Sequence, residues 1–361
     1  MTATQGMARD YDEHSEYQRA VADTATSLIT GSVHAVPLEP DETFVVADYG
    51  ASTGANSMAA MRAAIEAVRA RHADQAVVAL HNDLPTNDWN RLFHDLTTSP
   101  DSYLTLAGPP VVPLASGVSF FQPAAPRGSV RLGLSFSAAH WLREQPTVVV
   151  PDGFYFCDAT GDARAALARE ADADWTTFLL ARAADLAPGA RLVVQCIGTA
   201  VADDGTASVT AARLLRAMNE VAHGMAADGL LDPDAVTRYI LPAYARTVAE
   251  ARAPLTRPRS PVAPAFEEVT CRIDPVPNPY LTAWRSDHDS AAYGRAYAGF
   301  VRGFTESSLR EHLFTPGVKD GDVDGALTEY WARLTARFAA DPERDPFEDW
   351  TLTVVLARTA S

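Results

Sequence analysis

The segment Thr43–Tyr49 (TFVVADY) is an apolar, β-branched run that stops at Gly50, and this junction restricts the fold more than any other stretch. A run without polar alternation fits a strand buried on both faces of a parallel sheet. A loop of small residues, GASTGANS (Gly50–Ser57), follows it. Beyond the loop Met58, Met61, Ile65 and Val68 recur at helical steps, with Arg62, Glu66 and Arg69 on the other face. Strand, glycine turn and helix open a nucleotide-type α/β fold, in which ligands bind at the carboxyl ends of the strands.

Further apolar runs repeat the theme: Ala76–Leu80, Ser129–Phe136, Arg191–Ile197, and two late ones, Phe266–Ile273 and Trp350–Ala357. Their alternation with helical stretches predicts a doubly wound, parallel Rossmann-like sheet. The helix before Arg191 is expected to end at Pro188-Gly189. Val209–Leu231, Ala291–Phe314 and Val323–Phe338 read as helices outside the alternation and form a mainly helical cap over the strand ends. Ala253–Phe266 carries four prolines and reads as a loop or flexible linker. These assignments divide the α/β chain into a core of 1–204, 262–278 and 340–361 and a cap of 205–261 and 279–339.

Composition narrows the function classes. At 47% hydrophobic and 21% charged the chain is ordinary globular protein. Thirty Lys and Arg against 46 Asp and Glu give a net charge of −16, with no basic cluster for nucleic acid. No apolar run is long enough for a membrane span, and the polar start MTATQGMARDYDEHSEYQ lacks the features of a signal peptide. A cytoplasmic location without membrane association is expected. Cys157, Cys196 and Cys271 are widely separated and read as reduced, mostly buried thiols. No H-E-x-x-H or paired His/Cys set points to a metal, and no GxSxG points to serine hydrolysis.

The loop after the first strand departs from the phosphate-binding patterns. It is neither GxGxxG nor a GK[ST] P-loop. Two glycines four apart let backbone approach an uncharged part of a ligand. S-adenosylmethionine, an adenosine and an amino acid without phosphate, fits that description. Asp48 at the strand end is placed to face its cationic side, and Asp83 after the next strand to accept both ribose hydroxyls. A plain strand-to-helix turn, with Asp83 as the helix N-cap in NDLP, is the competing reading.

Several blocks resemble the SABATH carboxyl methyltransferases, the salicylate, benzoate and jasmonate methylating family. Tyr11-Asp-Glu-His-Ser15-Glu-Tyr-Gln18 is similar to its Y-x-x-x-S-x-x-Q opening. Asp48-Tyr-Gly-Ala-Ser-Thr-Gly-Ala-Asn56 resembles D-L-G-C-S-S-G-P-N, and Asn82-Asp-Leu-Pro-Thr-Asn-Asp-Trp-Asn90 resembles N-D-L-P-x-N-D-F-N. Ser119-Phe120 resembles part of G-S-F-Y, Trp141-Leu-Arg-Glu-Gln-Pro146 resembles W-L-S-x-x-P, and Val301-Arg-Gly-Phe-Thr-Glu306 resembles V-R-A-x-x-E-P, with Ser307 in place of the proline. The blocks keep family order across nearly the whole chain. Tyr49 stands where the family usually has Leu, and Ala51 where it often has Cys. By length the chain is also similar to the mycobacterial fatty acid O-methyltransferases.

The resemblance implies a class I methyltransferase core and residue roles. Tyr11, Ser15, Asp48, Gly50, Asn56, Asp83, Leu84, Ser119 and Phe120 would hold S-adenosylmethionine, which leaves as S-adenosylhomocysteine. Gln18 and Trp141 would orient a substrate carboxylate as neutral donors. A free acid, with a pKa of about 4, is already an anion, so its methylation needs alignment and dehydration rather than a general base. Ser137, Ala211 and His140 align with Tyr, Trp and Met of salicylate-type enzymes. The space so opened, with Val301, Phe304 and Trp350 as apolar lining, is expected to suit a medium-chain fatty acid. The family also implies a homodimer. Methylation of a heterocyclic nitrogen or an aromatic hydroxyl is the alternative activity, and a binding protein without turnover a third reading. Without the resemblance, Trp141 would read as a packed core residue, and His140 reads as a packed or exposed histidine rather than a catalyst.

Overall fold

The computed structural model describes residues 25–54, 57–150, 153–319 and 321–360. Nine strands are found among them: β1 (Phe44–Tyr49), β2 (Val77–Asp83), β3 (Val111–Gly117), β4 (Val130–Phe136), β5 (Leu186–Ile197), β6 (Thr199–Val201), β7 (Ala207–Val209), β8 (Phe266–Val276) and β9 (Asp349–Arg358). The principal helices are α1 (Thr26–Ala35), α2 (Ser57–Arg71), α3 (Trp89–Thr98), α4 (Gly161–Asp185), α5 (Ala212–Ala227), α6 (Pro233–Arg238), α7 (Val248–Thr256), α8 (Pro279–Asp287), α9 (Ser290–Leu309) and α10 (Val323–Ala340). Seven strands form one sheet in the order β3-β2-β1-β4-β5-β9-β8, while β6 and β7 make a separate hairpin.

The sheet is mixed where a parallel one was expected. β1 to β5 pair in parallel, β9 runs antiparallel to β5, and β8 is antiparallel to β9. The inner strands are buried on both faces, as their unalternating composition requires. Val46, Val193 and Val355 join the cluster under α1, α2 and α3. Their neighbours Ala47, Val194 and Val354 join the opposite cluster, under α4 and α7. Met58, Met61, Ile65 and Val68 form the buried stripe of α2 that their spacing predicted.

Several boundaries move. α4 ends at Asp185, and Pro188-Gly189 lies inside β5, where the pairing with β4 shifts register between Val130 and Leu132. The proline-rich stretch begins helical. α7 runs through Pro254 to Thr256 and starts with a capping box from Thr247 and Glu250. Its Ala251, assigned to the cap from sequence, packs on the sheet together with Val262 beyond it. Conversely Phe154, Tyr155, Phe156 and Leu167, assigned to the core from sequence, join the apolar cluster of α5, α6, α9 and α10. That cluster also takes in Trp141, Ala211 and Val301, with Phe304 packed against it.

Candidate active site

Parallel register carries the polar ends of β1 and β2 to one edge of the sheet: Asp48 pairs with His81 and Tyr49 with Asn82. The chain then turns sharply. Gly50 and Ala51 both donate to the Asn82 carbonyl, at 2.9 and 3.0 Å. Gly50 has φ +91°, and a Cβ there would lie 2.3 Å from the Ala138 Cβ and 3.8 Å from Phe120 Cε1. Only glycine fits this close approach of three segments.

Asp83 stitches the loops together. Its Oδ2 accepts the Ser52 N–H at 2.7 Å and its Oδ1 accepts the Leu84 N–H at 2.7 Å. Burial pushes its carboxyl up, and the two backbone donors pull it back. The N-cap of α3 is Asp88, which accepts from Arg91, so Asp83 does not serve as the cap. Asn87 donates to the Ser52 carbonyl at 2.6 Å, and Asn82 donates to the Ser116 and Val118 carbonyls at 2.9 and 2.7 Å. Asn82 thereby fixes the turn that presents Ser119 and Phe120. Asn82 and Asn87 were not singled out from the sequence, although both stand in the Asn82–Asn90 block.

Asp48 is buried, and its Oδ2 has no hydrogen-bond partner among the described residues. Burial raises its pKa to about 7, a Ser57 hydrogen bond opposes the rise, and the nearby Asp83 charge adds to it. A buried carboxylate with an unmet oxygen is a place for a cationic group.

The second half of the site follows β4. Ser137 is left-handed, with φ +52°, and donates to the Gln195 carbonyl at 2.8 Å. His140 is buried, and desolvation with the nearby Arg246 charge pulls it down to about 3, so it is a neutral imidazole at any working pH. Its ring lies 5.2 Å from that of Trp141. The Trp141 backbone bridges Ala243, while its indole N–H is buried without an acceptor among the described residues. Ala211, buried with φ +63°, precedes α5 and donates to the Glu348 carbonyl. Trp350 donates to the Thr210 hydroxyl next to it, at 2.9 Å. Val301 is buried in α9, and Phe304 packs 5.1 Å from Phe300 and 6.2 Å from Phe347.

The structure thus brings Asp48, Gly50, Asp83, Leu84 and the Ser119-Phe120 turn to one end of the sheet. Trp141 and His140 stand where that end meets the cap. Tyr11, Ser15, Gln18 and Asn56 lie outside the described residues.

The family described as SAM dependent carboxyl methyltransferase matches residues 1–358. The chain belongs to that family. Over 339 residues this carboxyl methyltransferase is 28% identical to the O-methyltransferase acrG of Aspergillus aculeatus, a match spanning 89% of this chain and 86% of that one. It is 26% identical over 281 residues to a farnesoic acid carboxyl-O-methyltransferase of Arabidopsis thaliana, covering 72% and 76% of the two chains. A solved loganic acid methyltransferase with SAH superposes at a TM-score of 0.76 with 22% identity, over 99% of each chain. That likeness establishes the Rossmann-like fold.

The cofactor of the carboxyl methyltransferase is S-adenosylmethionine, and the site suits it. The unmet oxygen of Asp48 offers a partner for a cation, the bare Gly50 turn offers close approach, and Asp83 keeps lone pairs beyond its two backbone bonds. Among the described residues no helix is long and apolar enough to cross a membrane.

Proposed function

We propose that this carboxyl methyltransferase esterifies the free carboxylate of a medium-chain aliphatic acid. Asp48, Gly50, Asp83, Leu84, Ser119 and Phe120 hold the cofactor, together with Tyr11, Ser15 and Asn56. Gln18 and Trp141 orient the acid. Bound adenosylmethionine supplies an electrophilic methyl group and leaves as S-adenosylhomocysteine.

The observation that carries the reading is the buried indole N–H of Trp141 with no acceptor among the described residues. A donor left unmet in that position costs about 1–3 kcal/mol. A carboxylate oxygen satisfies it when substrate binds. A neutral donor orients the anion without the full charge that would hold it back from reaction. Neutral His140 beside it adds no competing cation. The acid needs no base, since it arrives ionised. The apolar cap surroundings strip water from the nucleophile.

The preference for a flexible chain is supported by the small side chains at Ser137 and Ala211 and by the apolar Val301, Phe304 and Trp350. Changing Gln18→Ala or Trp141→Phe tests the tether. Each variant is expected to lower turnover of acids sharply while adenosylmethionine affinity, read by calorimetry, stays near wild type. Full activity at saturating acid would remove that residue from the proposal.

A further inference from the structure

The buried face of α4 is charged where a helix packed on a sheet is ordinarily apolar. Asp174, Trp175, Phe178, Arg182 and Asp185 follow one another along it at helical steps, all buried. Arg182 and Asp185 have no exposure at all. Charges so placed are costly unless fully satisfied, which directs attention to what they hold.

Arg182 donates through Nη1 to the Phe120 carbonyl at 2.7 Å and through Nη2 to the Gln122 carbonyl and Asp185 Oδ2, both at 2.8 Å. Asp185 in turn accepts the N–H groups of Ala124 and Ala125, at 3.1 and 3.2 Å. The Arg182 guanidinium also lies 3.8 Å from the ring centre of Tyr49, the residue before Gly50. One buried ion pair therefore ties the turn bearing Ser119 and Phe120 to the glycine turn after β1.

Further up the helix, Asp174 accepts the Arg143 N–H at 2.8 Å. Arg246, buried against the same helix, donates to the Ala139 and Ala171 carbonyls, both at 2.9 Å. Its guanidinium lies 5.3 Å from the Trp175 ring, which stacks on Phe178 at 5.4 Å. These bonds bracket His140 and Trp141.

We propose that Arg182 and Arg246 are positioning residues for methyl transfer, Arg182 for adenosylmethionine and Arg246 for the acid's carboxylate, with α4 as their common support. The Arg246 half rests on the reading of Trp141 as the carboxylate donor. Arginine suits both places because its planar fork holds two carbonyls while its face rests on an aromatic ring. A lysine ammonium cannot do both. Loops ordered before binding also lower the entropic cost of binding.

The test is a crossed pair of variants in the full chain, Arg182→Lys and Arg246→Lys. Thermal melting, adenosylmethionine Kd, acid KM and kcat are measured for each, with octanoate as the acid. Arg182→Lys is expected to raise the cofactor Kd roughly tenfold and leave acid KM, at saturating cofactor, within about twofold. Arg246→Lys is expected to do the reverse. A general loosening of the fold would move both constants together, and that result overturns the proposal. So does unchanged cofactor affinity in a folded Arg182→Lys protein. If a lysine variant fails to fold, Tyr49→Leu and Arg246→Gln replace the pair, with the same crossed pattern at about threefold. Loss of that pattern is equally decisive. Failure of the underlying reading is distinguishable: Trp141→Phe with normal acid kinetics removes the Arg246 half and leaves the Arg182 half to stand on cofactor binding.

Discussion

Asp83 commits both carboxylate oxygens to backbone donors, from Ser52 and Leu84, and still has lone pairs for two ribose hydroxyls. Asp83→Ala is expected to weaken adenosylmethionine binding by about 1.5–3 kcal/mol. Unchanged affinity by calorimetry in a folded variant would contradict the assignment. Asp48 predicts a pH dependence. Its pKa rises from 3.8 to about 7 on folding, chiefly through burial. The native state thus keeps a proton that the unfolded chain releases. The associated stability is full below about pH 4 and is lost as pH rises through about 7. Cofactor binding should show the opposite slope, because a cation favours the ionised carboxylate, and should tighten up to about pH 7. Asp48→Asn should flatten both slopes, which melting curves and calorimetry between pH 5 and 8 will show. At this scale the places of Asp48, Gly50 and Asp83 at the strand ends were legible because these residues close apolar runs in the sequence. Arg182, Asp185 and Arg246 were not, because the loop groups they hold are distant in sequence and are backbone atoms: the Phe120 and Ala139 carbonyls for the arginines, the Ala124 and Ala125 N–H groups for Asp185.

Among the elements, the inner strands were readable as β-branched runs, whereas β3 escaped notice. It carries Pro113 and leaves Val112 and Leu114 exposed, features tolerated because β3 is the sheet's edge. α7 was hidden by Pro254 within it, and the true end of α4 by a Pro-Gly pair that belongs to a bulged strand. The cap helices were visible from their spacing, but not how close they come. A Cβ on Gly294 of α9 would meet the Thr335 carbonyl at 2.7 Å and the Ala339 Cβ at 2.8 Å on α10. Gly294→Val should therefore force these helices apart and destabilise the protein by about 1–3 kcal/mol. Acid KM should rise in parallel, with cofactor affinity little changed. A variant that melts like wild type would show that the contact is not tight.

For the molecule as a whole, the residues proposed to hold the cofactor lie at the sheet end and Trp141 lies in the apolar cluster of the cap, so cofactor and acid affinities should separate cleanly under mutation. The order of the blocks along the chain made the fold legible. The surroundings proposed for the acid were less so, because residues such as Ala211 and Val301 join one apolar cluster only through tertiary packing. Each methylene buried there should add about 0.8 kcal/mol, or roughly fourfold in specificity. Whether the nucleophile is the carboxylate of an aliphatic acid is decided by the products the enzyme makes. The enzyme is incubated with adenosylmethionine and a series of straight-chain acids, with salicylate and benzoate alongside, and the products are identified by mass spectrometry. Methyl esters are expected, with kcat/KM rising over several added methylenes before it levels or falls. Salicylate outperforming every aliphatic acid, or methyl transfer to a nitrogen or hydroxyl with no ester formed, would contradict that expectation.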